Sequence, residues 1–170
     1  MQRGLYFSAM YILTAKLDEK SQKLLNSLRK EHFPAHLNYL DAHLTLFHQF
    51  PVFDFCDPFF KDHLPKQKIE VVFDQVYFTG KGFAIEVQSS ELSSIRTKLK
   101  TEVFQKLSVQ DATDRRLHVT VSNKANPELA KKQFSEFQKD WSSFRGEIHG
   151  IEVWKYLNGP WAFVRGYPFK

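Results

Sequence analysis

Two short stretches of this chain alternate polar and apolar residues with period two and repeat the same side chains. They are Asp41-Ala42-His43-Leu44-Thr45-Leu46-Phe47 and Leu117-His118-Val119-Thr120-Val121-Ser122. Successive strand side chains point to opposite faces, so this alternation marks a half-buried β-strand. In the first stretch Leu44 and Leu46 are expected to enter a core while His43, Thr45 and Phe47 face away. In the second, Leu117, Val119 and Val121 face inward, and His118, Thr120 and Ser122 share the open face. A fold that accepts this chain must find room for two such strands, each with an imidazole and a hydroxyl side by side.

The surroundings of the two strands echo each other. From about residue 7 to 50 the order is strand, helix, loop, His-x-Thr strand, and the same order returns from about 82 to 123. In the first unit a strand ends at Lys16 and Asp18 caps a helix with Glu19 in its first turn. Leu24, Leu25 and Leu28 give its apolar stripe. Arg29 and Lys30 sit in its last turn, where cations suit the helix dipole, and Pro34 stops it. In the second unit Phe83 to Val87 is a strand, and Ser89 or Ser90 caps a helix with stripe Leu92, Ile95, Leu99 and Val103. A polar loop, Asp111 to Arg116, leads to the second motif.

The remaining segments complete a mixed fold. Ile69 to Phe78 reads as a strand turning back at Thr79-Gly80-Lys81-Gly82. Asn126 and Pro127 open a third helix that buries Ala130, Phe134, Phe137 and Trp141. Ile148 to Tyr156 and Trp161 to Arg165 are strands joined at Gly159-Pro160. Residues 52 to 68 read as an aromatic connecting loop. With 170 residues the chain fits one domain, 1–170. Its two pseudo-symmetric lobes give an α+β arrangement: two antiparallel sheets with outer helices around a central cleft.

Composition narrows the setting. The net charge of +5 favours anionic partners but forms no long basic run. A single cysteine, Cys56, excludes an internal disulfide and fits a reducing cytosol. The apolar run from Leu5 to Leu13 passes directly into Lys16-Leu17-Asp18, so it is read as a buried strand and not a secretion signal. No apolar run is long enough to span a membrane, and a cytoplasmic monomer is expected.

Two imidazoles meeting over a cleft suit concerted acid–base work, because both titrate near neutrality. Threonine hydroxyls beside them could donate to the oxygens of a phosphate. Displacement at phosphorus needs a base for the attacking oxygen and an acid for the leaving oxygen, which two opposed histidines provide. The chain has no His-x-His, no His-Glu-x-x-His and no carboxylate cluster, so no metal or other cofactor is expected.

His43-Leu44-Thr45-Leu46 and His118-Val119-Thr120-Val121 resemble the paired His-x-Thr-x signature of the 2H phosphoesterase superfamily, the 2′-5′ RNA ligase-like or cyclic phosphodiesterase proteins. The tail Trp154-Lys155-Tyr156-Leu157-Asn158-Gly159-Pro160-Trp161 also resembles the closing strands of bacterial members. The resemblance implies a bilobal fold and metal-independent hydrolysis of a 2′,3′-cyclic phosphate or related RNA phosphodiester, with RNA ends or cyclic nucleotides as substrates. It implies catalytic roles for His43 and His118 and phosphate-holding roles for Thr45 and Thr120. Many relatives carry an arginine after the second motif. Here Lys124 is the nearest cation, and Tyr156 could stack on a base. The alternative is a non-catalytic RNA- or nucleotide-binding protein using the same cleft.

Other histidines and the cysteine read more simply. His32 and His36 flank the helix-breaking Pro34 and fit a surface loop. His48 falls on the Leu44/Leu46 side of its strand and fits the core edge. His63 and His149 show no partner pattern, and Cys56 reads as an ordinary thiol.

Overall fold

The structure, a computed structural model, describes residues 10–51 and 56–170. The start of the expected first strand, before Met10, lies outside the described residues, as do Phe53 and Phe55. The described elements run β1 (Met10–Leu17), α1 (Glu19–His32), β2 (Leu44–Pro51), α2 (Cys56–His63), β3 (Ile69–Phe78), β4 (Phe83–Gln88), α3 (Ser90–Val103), α4 (Val109–Ala112), β5 (His118–Ser122), α5 (Pro127–Asp140), β6 (Phe144–Tyr156) and β7 (Trp161–Pro168).

The fold is α+β, but the strands do not form two separate sheets. They make one antiparallel sheet in the order β1-β2-β5-β4-β3-β6-β7, and β1 also pairs with β6, so six strands close into a ring. β6 is the reason. It is long enough for Phe144–Ile148 to pair with β3 and for Ile148–Lys155 to pair with β1. The opposite seam is narrow, with Leu44 and Val119 as the registered pair between β2 and β5. The two expected lobes are therefore the halves of a closed ring, β1-β2 and β3-β4-β5, fused along β6.

Local chemistry explains most element boundaries. The Asp18 carboxylate accepts from Ser21 N at 2.8 Å, capping α1, and also from Glu147 N at 2.8 Å, tying the cap to β6. Ser89 Oγ accepts from Leu92 N at the start of α3. Asn126 caps α5, with Pro127 in the first turn. Gly82 has no room for a side chain, because a Cβ there would lie 1.9 Å from the Ser122 carbonyl oxygen. That close approach closes β4 against the end of β5.

Several expectations need correction. Residues 56–63 are helical, not loop. Asp57 and Pro58 suit a first turn, and Phe60 is buried 4.6 Å from the Tyr167 ring. Asp57 also meets Arg165 and the Tyr167 hydroxyl. The loop from Asp111 begins inside the short helix α4, capped by Ser108. In α1 Leu24 is exposed, while Ser21, Leu25 and Arg29 form the buried face. His32 is no surface loop residue; it packs edge-on against Phe83 and Phe137. The stripe of α3, by contrast, is buried as expected. No helix among the described residues is long and apolar enough to cross a membrane.

Candidate active site

The two motifs meet across the narrow seam. Leu44 and Val119 are antiparallel partners, both fully buried on the core side. Extending that register by one residue each way sets His43 opposite Thr120 and Thr45 opposite His118. All four half-buried side chains lie on the other face, each histidine facing the other motif's threonine. His43 and His118 are then diagonal neighbours, which in such a pair stand ~7–8 Å apart and somewhat less at Cβ, near enough for both rings to reach one phosphoryl group.

A bulge follows each motif at the same place. On β2 the register steps from Thr14↔Thr45 to Leu13↔Phe47, skipping Leu46. On β5 it steps from Ala84↔Thr120 to Phe83↔Ser122, skipping Val121. A bulge reverses the alternation beyond it. Phe47 and Ser122, both expected on the open face, are therefore fully buried. His48, expected at the core edge, turns outward to the site.

The two imidazoles are held alike. His43 Nδ1 lies 2.7 Å from the Asp41 carbonyl, and His118 Nδ1 lies 3.1 Å from the Arg116 carbonyl. A carbonyl can only accept, so each Nδ1 carries a proton and each Nε2 lone pair is left for chemistry. Burial drives the His43 pKa down to about 4, aided by Arg29, His48 and His118 and opposed by the Asp41 carbonyl. Burial also lowers that of His118, aided by His48, Arg115 and Arg116. Each ring has an aromatic neighbour: Trp161 at 4.5 Å from His43, and Tyr77 at 6.1 Å from His118.

Two buried arginines brace the seam: Arg29, expected only as a last-turn cation of α1, and Arg96, which the sequence reading did not single out. Arg29 of α1 donates to the Thr120 carbonyl at 3.0 Å and to Asn38 Oδ1 at 2.9 Å. Arg96 of α3 donates to the Leu46 carbonyl at 3.1 Å and the Asp111 carbonyl at 3.0 Å. Each helix thus reaches the motif strand of the other repeat. Asp111, buried in α4, accepts from His48 N at 3.0 Å and Gln49 N at 2.7 Å, and its Oδ1 lies 3.3 Å from His48 Nδ1. A signal existed for the arginines: each sits at helical spacing on an apolar stripe, with Leu25 four residues before Arg29 and Leu92 four before Arg96. Asp111 had no such signal, because its partners are 62 and 63 residues away.

Two cavities open on the two sides of the seam. A cavity of about 390 Å³ brings His43 and Thr120 together with Arg29, Lys124, Tyr156 and Trp161. A smaller one of about 120 Å³ holds Thr45 and His118 with His48, Arg115 and Arg116. Lys124 and Tyr156 therefore stand beside the first histidine. Lys124 adopts φ 60° at its loop, with its backbone N–H bonded to Asn123 Oδ1. Cations line both cavities, an arrangement suited to a phosphodiester.

Comparison with known proteins shows the family and the fold. Residues 17–160 match the model of the 2'-5' RNA ligase superfamily. Comparison with curated protein sequences gives no match. Among solved structures, TT0787 of Thermus thermophilus is similar with a TM-score of 0.64 at 10% identity, over 94% of this chain and 97% of that one. E. coli LigT complexed with 3'-AMP is similar with a TM-score of 0.58 at 11% identity, over 96% and 99%. A structure described as a phosphoesterase is similar at 0.60 and 10% identity, over 96% and 99%. At such identities the likeness is one of fold.

Proposed function

This chain belongs to the 2′-5′ RNA ligase superfamily, and from that premise we propose that it is a metal-independent phosphodiesterase acting by paired-histidine acid–base catalysis. Its substrate is a 2′,3′-cyclic phosphate or a related RNA or nucleotide phosphodiester. The observation that carries this reading is the Leu44–Val119 pairing, from which the facing of His43 with Thr120 and of Thr45 with His118 follows.

The chemistry balances with those residues alone. One imidazole accepts a proton from water at Nε2 as the water oxygen bonds to phosphorus. The other, as imidazolium, gives its Nε2 proton to the ribose oxygen as the phosphorus–oxygen bond breaks. The products are a phosphomonoester and a free hydroxyl. Thr45 and Thr120 donate to the non-bridging oxygens, whose charge grows in the transition state. Lys124 supplies a cation near the same oxygens, and Tyr156, in the cavity at Thr120, a face for a neighbouring base of an RNA end. The reading places the protein as a cytosolic monomer.

The test is incubation of purified protein with 2′,3′-cyclic nucleotides and short RNAs ending in a cyclic phosphate, with chelator present. Ring opening that is lost in both His43→Ala and His118→Ala supports the reading. Tight binding with no turnover by the native protein would replace it with a nucleotide-binding role.

A further inference from the structure

Beside His43 the cleft continues into a further cavity of about 470 Å³, which the reaction above does not use. Its chemistry is the reverse of the phosphate side. Arg29 and Lys124 line the cavity at Thr120, whereas this one is walled by Tyr39, Trp154 and Trp161 and carries Asp41 and Glu152.

The sheet register builds it. Thr45 on β2 faces Thr14 on β1, and Thr14 faces Glu152 on β6. The three side chains form one row on the face that carries the motif. Two strand spacings separate Thr45 from Glu152, ~10 Å, comparable to the reach from a ribose phosphate to the far edge of a purine. Trp154 lies two residues beyond Glu152, on the same face. Its Nε1 donates to Thr14 Oγ1 at 2.9 Å, fixing the indole. Trp161 stands 6.3 Å from it, with its other neighbour the His43 ring.

The half-buried Glu152 carboxylate makes no hydrogen bond or ion pair with a described residue. Burial raises its pKa, and Lys16 pulls the other way. A desolvated carboxylate is an acceptor in want of N–H donors. Among the four bases, guanine presents two adjacent N–H groups on one edge, N1–H and the 2-amino group. Adenine, cytosine and uracil each put a lone pair against one carboxylate oxygen.

We propose that this cavity is a guanine subsite, in which the base lies against Trp154 and Trp161 and donates from N1–H and its 2-amino group to the two oxygens of Glu152. The assignment rests on the reading of His43 and Thr45 as the phosphate end of the cleft. It makes guanosine-ended substrates the preferred class.

Calorimetric titration with the 3′-monophosphates of guanosine, inosine, adenosine, cytidine and uridine tests this without turnover. Guanosine should bind at least about tenfold more tightly than adenosine, cytidine or uridine, since a hydrogen bond to a charged group is worth that much. Inosine, which keeps N1–H and lacks the 2-amino group, should fall between. Glu152→Gln should collapse the ranking. Adenosine binding as tightly as guanosine, or a ranking preserved in E152Q, would overturn the subsite. The native ranking decides even if that variant does not fold. Equal hydrolysis of all four cyclic nucleotides would also remove the subsite and leave the phosphodiesterase standing. Guanosine preference without hydrolysis would do the reverse.

Discussion

Arg29 Nη1 on α1 donates to the backbone carbonyl of Thr120 on β5 at 3.0 Å, across 91 residues of chain. The bond fixes the strand carrying the second motif against the helix that precedes the first. Burial pushes the Arg29 pKa down to about 10, with Asp41 opposing, so the guanidinium stays charged at neutral pH. The guanidinium carbon lies 4.2 Å from the centre of the Phe33 ring.

Arg29→Met should therefore destabilise the fold. It removes the Arg29 donors from the Thr120 carbonyl and from Asn38 Oδ1, and loss of a partner from a buried acceptor costs about 1–3 kcal/mol. The urea midpoint should fall with an unchanged slope. An unaltered midpoint would show that the bond contributes nothing net.

Removal of either catalytic candidate should cost activity without costing structure. His43→Ala and His118→Ala are each expected to lower kcat by about 10²–10⁴-fold. The double variant should be little worse than the weaker single, because the two rings act as one unit. Circular dichroism should be unchanged. A single variant retaining most of its activity would break the paired mechanism.

The pH dependence follows from the two imidazoles. The active form has one ring neutral and one charged, so activity should be bell-shaped. In the free protein His43 titrates near 4 and His118 below its ordinary value, which puts the kcat/KM optimum on the acid side of neutrality. A bound phosphate anion favours both charged rings, so the kcat profile should shift upward in pH. Stability has its own sign. The folded state holds His43 neutral, so its contribution is full above about 6.5 and is lost as pH falls through about 4. Imidazole titration followed by NMR checks both limbs. A monotonic rate profile would count against two titrating histidines.

Asp111→Asn should loosen β2 at His48 and Gln49, where its register against β1 shifts a second time between Phe47 and Phe50. The carboxylate gives one oxygen to His48 N and the other to Gln49 N; an amide can satisfy only one. Burial raises the Asp111 pKa, but the bonds from His48 and Gln49 outweigh it and leave the pKa below the ordinary carboxylate value. The clamp therefore holds above about pH 3.8 and weakens as pH falls further. Faster amide exchange at His48 and Gln49, with a loss of about 1–3 kcal/mol, is the expected result. Native-like protection in the variant would assign the shape of this segment to packing alone.

Lys124→Ala should raise KM for anionic substrates and leave kcat nearly intact, since a cation at the cavity rim binds ground and transition states alike. The effect should shrink with added salt. A kcat loss at constant KM would move Lys124 into the chemistry.

Much of this protein is set by local pattern. Period-two alternation fixes that His43 and Thr45, and likewise His118 and Thr120, leave one face of a strand together. Asp18 fixes where α1 begins, and the spacing of Leu92, Ile95, Leu99 and Val103 fixes which face of α3 is buried. These depend on neighbours a few residues away, so they are written in the chain. What the tertiary structure alone decided depends on partners far away. Leu44 meeting Val119, the length of β6 that closes the ring, and the bulges that bury Phe47 and turn out His48 all arise from pairing between distant strands. The same holds for Arg29, Arg96 and Asp111, whose charges are tolerated inside because carbonyl and amide groups from other elements converge on them. A sequence carries the side chains of a site, but long-range register sets their distances.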